Sequence, residues 1–108
     1  MNASALLGVW TGTVHNSNGW DMKLTISVLQ PFEAGSVLGV FDIPLIPCSG
    51  TFRVTQIHGH ILSLQAERLQ GECEKANSYF LELLRDETLL YTARGNGWKT
   101  QGILRRAS

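Results

Sequence analysis

Along most of the chain, apolar and polar residues alternate with a period of two, the repeat of a strand that turns one face to a core and the other to water. The clearest stretch is residues 20–28, where Trp20, Met22, Leu24, Ile26 and Val28 alternate with Asp21, Lys23, Thr25 and Ser27. Strand signatures also cover residues 8–15, 37–43, 51–56, 61–67, 79–84, 89–94 and 98–106. Turn chemistry separates them. Asn16-Ser17-Asn18-Gly19 and Asn96-Gly97 supply residues suited to tight hairpins, and Pro31 to Gly35 interrupts the alternation. Residues 44–47 begin and end with prolines, which cannot donate to a ladder, and His58-Gly59 and Asp86-Glu87 mark two more turns. Residues 70–77 are polar and loop-like. The nearest approach to a helical stripe is 66–75, and Gly71 weakens it.

Eight strands joined in order by short turns make an antiparallel up-and-down meander, which removes its exposed edges by closing into a barrel. The expectation is an all-β single domain over residues 8–106, preceded by a flexible segment, 1–7; two packed sheets are the alternative. In a closed meander the odd strands run from one end, here the bottom, to the top, and the even strands return. The eighth strand then finishes beside the start of the first. If Trp98, Thr100, Gly102 and Leu104 point inward, so does Arg106, and its guanidinium can lie across the indole of Trp10. Arg105 takes that place if the parity slips by one.

A Gly-x-Trp at the head of the first strand with an Arg closing the last, here Gly8, Trp10 and Arg106, resembles the calycin superfamily of lipocalins, fatty-acid-binding proteins and avidins. The resemblance implies a barrel whose floor is plugged by the Trp and Arg. Position 12 is Gly where avidins carry a ligand-binding Asn, so a biotin site is not implied. The start Trp10-Thr11-Gly12, together with two cysteines, is also similar to small extracytoplasmic bacterial domains of unknown function.

At 108 residues the chain suits one core. Its 9 basic and 9 acidic residues are scattered and cancel, which argues against a nucleic-acid partner. No apolar run approaches the roughly 20 residues of a membrane span. Residues 1–7 lack the basic start and apolar core of a signal peptide, so the chain reads as cytoplasmic or as one whose signal has been removed. Cys48 and Cys73 flank the hairpin that turns at His58-Gly59 and stand a few residues out of its register; slack in Gln70-Gly71-Glu72 would join them. A disulfide is favoured over two reduced thiols, and an extracytoplasmic setting with it.

Strand direction brings Trp20, Tyr79, Arg94 and Trp98 to the top rim, with Tyr91 one layer deeper and Phe41 on the third strand. Aromatic side chains at a barrel mouth suit a small apolar or aromatic ligand, and Arg94 would meet an anionic group by folding over the rim. His58 and His60 belong at the bottom and His15 at the top, so no three imidazoles meet, and neither a metal nor a cofactor is expected. No nucleophile elbow or pairing of Ser with His and Asp suggests an enzyme. Leu38, Val40, Phe80, Leu84, Leu90 and Ile103 fall on outward parity, opposite an inward Val37 and Phe41, and the surplus predicts a homodimer. The first functional expectation is a non-catalytic small-molecule-binding barrel. The alternative is a protein-interaction module, comparable with small protease-inhibitor barrels, that uses segment 1–7 or the outer apolar wall.

Overall fold

A computed structural model describes residues 2–107. The strands are β1 (Gly8–Asn16), β2 (Asp21–Val28), β3 (Val37–Ile43), β4 (Cys48–His58), β5 (Ile61–Gly71), β6 (Ser78–Leu83), β7 (Leu89–Gly95) and β8 (Trp98–Arg106). Each pairs antiparallel with the next, and β1 pairs with β8, so the sheet is a closed barrel rather than two packed layers. No described residue is helical; residues 66–71 complete β5. β4 and β5 run beyond their alternating cores because Cys48 pairs with Gly71 and His58 with Ile61, making one long hairpin.

Alternation places the inward side chains. Met22, Leu24, Ile26 and Val28 of β2 are buried, as are Leu62, Leu64 and Ala66 of β5 and Thr100, Gly102 and Leu104 of β8. Three register shifts break the count, one of them in β4 between Val54 and Gln56 and the others in β3 and β5. In β3 the register shifts between Val37 and Gly39. Val37 pairs with outward Arg53 and is only half-buried, whereas Leu38 is fully buried, which corrects the parity expected for both. In β5, Arg68 has φ 52° in the left-handed region, and pairing slips from Thr51–Glu67 to Ser49–Gln70. That extra residue turns Leu69 toward the core.

The floor is closed by the start of the chain. Residues 1–7 read as flexible from sequence; Met1 lies outside the described residues, and the rest of the segment folds across the bottom. Leu6 is 1% exposed, its carbonyl accepts a bond from Trp10 Nε1 at 2.9 Å, and the Ala3 carbonyl accepts one from the Phe32 amide at 3.0 Å. The physical reason is that Leu6, Trp10 and Phe32 supply apolar surface that a free segment would leave in water. The Arg106 guanidinium lies 4.3 Å from the centre of the Trp10 ring and donates to the carbonyls of Leu7 and Ala5. Gly8, at φ 120°, leaves the space: a Cβ there would come within 3.2 Å of that guanidinium.

Candidate functional site

The upper end of the barrel is hollow. Below it, Leu24, Ile26, Phe52, Val54, Leu62, Leu81 and Leu104 fill the interior. Near the top the inward positions are small, with Gly50 on β4, Ala93 on β7 and Thr100 on β8, and the side chains around them do not meet across the axis. The space left is about 230 Å³ and opens at the rim. Gly50 is part of the reason for its shape: a Cβ there would lie 3.0 Å from both Phe41 and Leu69, two side chains of the wall.

Aromatic rings dominate the lining. Trp20 stands at the lip, 57% exposed, and Trp98 faces it from the β7–β8 hairpin. The Trp98 indole lies flat on Gly95, where a Cβ would fall 2.0 Å from the ring, so this glycine sets the ring's position. Tyr79, Tyr91 and Phe41 form the deeper wall, and Phe52 lies beneath them. Phe52 stacks on Phe41 at 4.4 Å and meets the Tyr79 and Tyr91 rings at 5.4 and 6.4 Å, tilted. Met22, Ile43, Ile46, Leu69 and the Cys48–Cys73 disulfide complete the apolar surface.

The disulfide is made as the hairpin expected, with the Cα atoms 4.9 Å apart. Cys48 pairs with Gly71, two residues short of Cys73, and the chain must bend sharply to bring Cys73 back. Gly71 permits this with φ 87°, and a Cβ there would collide with the Pro47 carbonyl oxygen at 2.1 Å. The Glu72 amide donates to that same oxygen at 2.8 Å. The bend also brings Glu72 and Glu74 to the rim.

Polar groups in the cavity are few. Asn16 donates to Thr100 Oγ1 at 2.8 Å and accepts from the Asn18 amide at 2.8 Å, so this pair is satisfied within the protein. The Tyr79 hydroxyl accepts from the Ala76 amide at 3.0 Å, and burial pushes its pKa upward. Tyr91 is 4% exposed, and burial, aided by neighbouring Tyr79, pushes its hydroxyl far above the usual phenol range. Tyr91 lines the cavity, and the described residues hold no buried side-chain polar atom without a hydrogen-bond partner.

Of the rim residues expected from sequence, the structure brings together Trp20, Phe41, Tyr79, Tyr91 and Trp98. Arg94 is a correction. Tyr91 and Ala93 face inward, so Arg94 projects outward beside Phe80, Leu90 and Gln101 on the outer wall, where it cannot serve a ligand in the mouth. Parity from Trp20 and Trp98 locates Met22 and Thr100 in the wall, but Leu69 is displaced by the β5 bulge and has no signal in the alternation. The histidines stay apart: His15 Nδ1 lies 2.6 Å from Asp21 Oδ1 on the outside, and no three metal-ligating side chains converge among the described residues. Among the described residues no helix is long and apolar enough to cross a membrane.

The architecture, an eight-stranded antiparallel closed barrel, is compatible with a calycin-like fold. Comparison of the chain with known protein families, curated proteins and solved structures gave no significant match.

Proposed function

We propose that the protein is a non-catalytic binding barrel that takes one small, largely apolar ligand in its top mouth. The observation that carries this reading is a hollow of about 230 Å³ walled by Trp20, Trp98, Tyr79, Tyr91 and Phe41 in a barrel otherwise filled to its axis. Its size sets the scale of the ligand. An apolar cavity of about 150 Å³ admits benzene, and drug-sized pockets begin near about 300 Å³, so the mouth suits one ring with a short substituent. The shared Gly8, Trp10 and Arg106 arrangement supports a calycin-like reading, and the bonded Cys48–Cys73 pair supports an extracytoplasmic setting.

The test is native mass spectrometry of protein purified without reductant, followed by titration of single-ring aromatic compounds against tryptophan emission. A retained or titrated ligand whose binding is lost in Ala93→Leu, which fills the hollow, is the expected result. Equal binding by Ala93→Leu places the ligand elsewhere and refutes the reading.

A second reading, pairing of two copies, is favoured by the outer wall. Leu90 is directly opposite Ile103, Phe80 lies diagonal to Leu90 on β6, and Ile61 on β5 lies beyond Glu82, which interrupts the row. Sedimentation equilibrium tests it: a dimer dispersed by Leu90→Lys supports the wall as an interface, and a monomer at the highest workable concentration rejects it.

A further inference from the structure

The mouth has a charge preference as well as a shape. Glu72 and Glu74 are the only charged side chains lining it among the described residues. Lys75, although next to Glu74 in sequence, is not part of the lining, and Arg94 is on the outer wall. The remaining surface is dominated by aromatic faces, which carry the negative end of a quadrupole. An anion entering here would leave water for a site that offers it carboxylates and π faces, with no cation to compensate. A cation would meet the opposite situation on every side.

Tyr91 adds a polar group to an otherwise apolar wall. The residue is 4% exposed and lines the hollow, and its hydroxyl is not a sealed orphan, since the described residues hold no buried side-chain polar atom without a partner. An occupant that displaces water from this wall and can hydrogen-bond to the phenol is favoured over a bare hydrocarbon. Burial keeps the phenol neutral across the ordinary pH range, so the deep wall carries no charge and the two carboxylates at the rim set the preference.

Resting on the binding reading above, we infer that the ligand class is a small organic cation: a protonated amine carried on one apolar ring. The ring occupies the hollow between Tyr79, Tyr91, Phe41 and Trp98. The ammonium group lies toward the rim, between the indoles and the two carboxylates.

The test is isothermal titration calorimetry of the whole protein with three matched probes: phenethylammonium, phenethyl alcohol and phenylacetate. Phenethylammonium is expected to bind at least about tenfold more tightly than the alcohol, the ratio that one cation–π contact with charge attraction supports. Phenylacetate is expected to bind more weakly than either. The double variant Glu72→Gln/Glu74→Gln should lose most of the preference for the cation and keep its affinity for the alcohol, and added salt should narrow the gap in the native protein. Alcohol or phenylacetate binding as tightly as the amine overturns the charge inference and leaves the mouth as a ligand site. Failure of all three to bind overturns both.

Discussion

The Cys48–Cys73 disulfide allows the most quantitative forecast. The bonded residues are 25 apart in sequence, and each belongs to the folded rim before the bond is considered, through the Cys48–Gly71 pairing and the Glu72 to Pro47 hydrogen bond. Removing the bond therefore leaves the native hairpin with its ladder and acts chiefly on the unfolded chain, which regains the entropy of an open loop. For a loop of this length the loss is about 3.5 kcal/mol. Spread over the unfolding entropy of a domain of this size, roughly 0.23 kcal/mol per degree, this lowers the melting temperature by about 15 °C. The assay is thermal unfolding of Cys48→Ala/Cys73→Ala against the oxidised parent, followed by far- and near-ultraviolet circular dichroism, with the chemically reduced parent as control. The variant and the reduced parent should fall together. A drop below about 4 °C in both would mean that the unfolded chain already holds the β4–β5 hairpin, and the loop-closure argument would be refuted.

Three further outcomes follow from the floor and the mouth. Arg106→Ala should cost about 2 kcal/mol and expose the Phe32 amide to hydrogen exchange, because the guanidinium ties the Ala5 and Leu7 carbonyls to Trp10; unchanged protection at Phe32 would mean the segment holds without it. Tyr91 links stability to alkaline pH. Below about pH 10 both folded and unfolded states keep its proton; above it the unfolded chain alone ionises, so stability falls by about 1.4 kcal/mol per pH unit until the folded state also titrates. Denaturant melts of Tyr91→Phe should show an alkaline slope smaller by that amount, and an identical slope would contradict the burial of the hydroxyl. Gly95→Ala should expel the Trp98 indole from its seat and reduce both its near-ultraviolet dichroism and the affinity of any mouth ligand, with a cost of about 1–3 kcal/mol for the overpacking; an unaltered spectrum would show that Gly95 does not set the ring.

How much of this was legible beforehand depends on one property of strands, that successive side chains alternate. Wherever a strand keeps strict alternation, counting from one buried residue finds all the others, and β2, β6, β7 and β8 obey that rule; this is why Trp98, Tyr91 and Tyr79 fall on the cavity wall as their positions imply. A bulge adds one to the count and reverses every later assignment. Val37 and Leu38 exchange faces for that reason, and Leu69 joins the mouth although the alternation through Leu62, Leu64 and Ala66 assigns the inward place to Arg68. Arg68 bears φ 52° without being glycine, so no residue type announces the break. The same slip, with the bend at Gly71, delivers Cys73 to Cys48 and carries Glu72 and Glu74 to the rim. The irregularity that defeats the count thus assembles the side of the mouth on which the charge preference depends. Deleting Arg68 tests this reading: the extra residue goes while Glu67 stays opposite Thr51, Gln70 opposite Ser49 and Gly71 opposite Cys48, so Leu69 keeps its inward place and the Cys48–Cys73 disulfide should still form, and its loss in the variant would refute a single-residue slip as the origin of this side of the mouth.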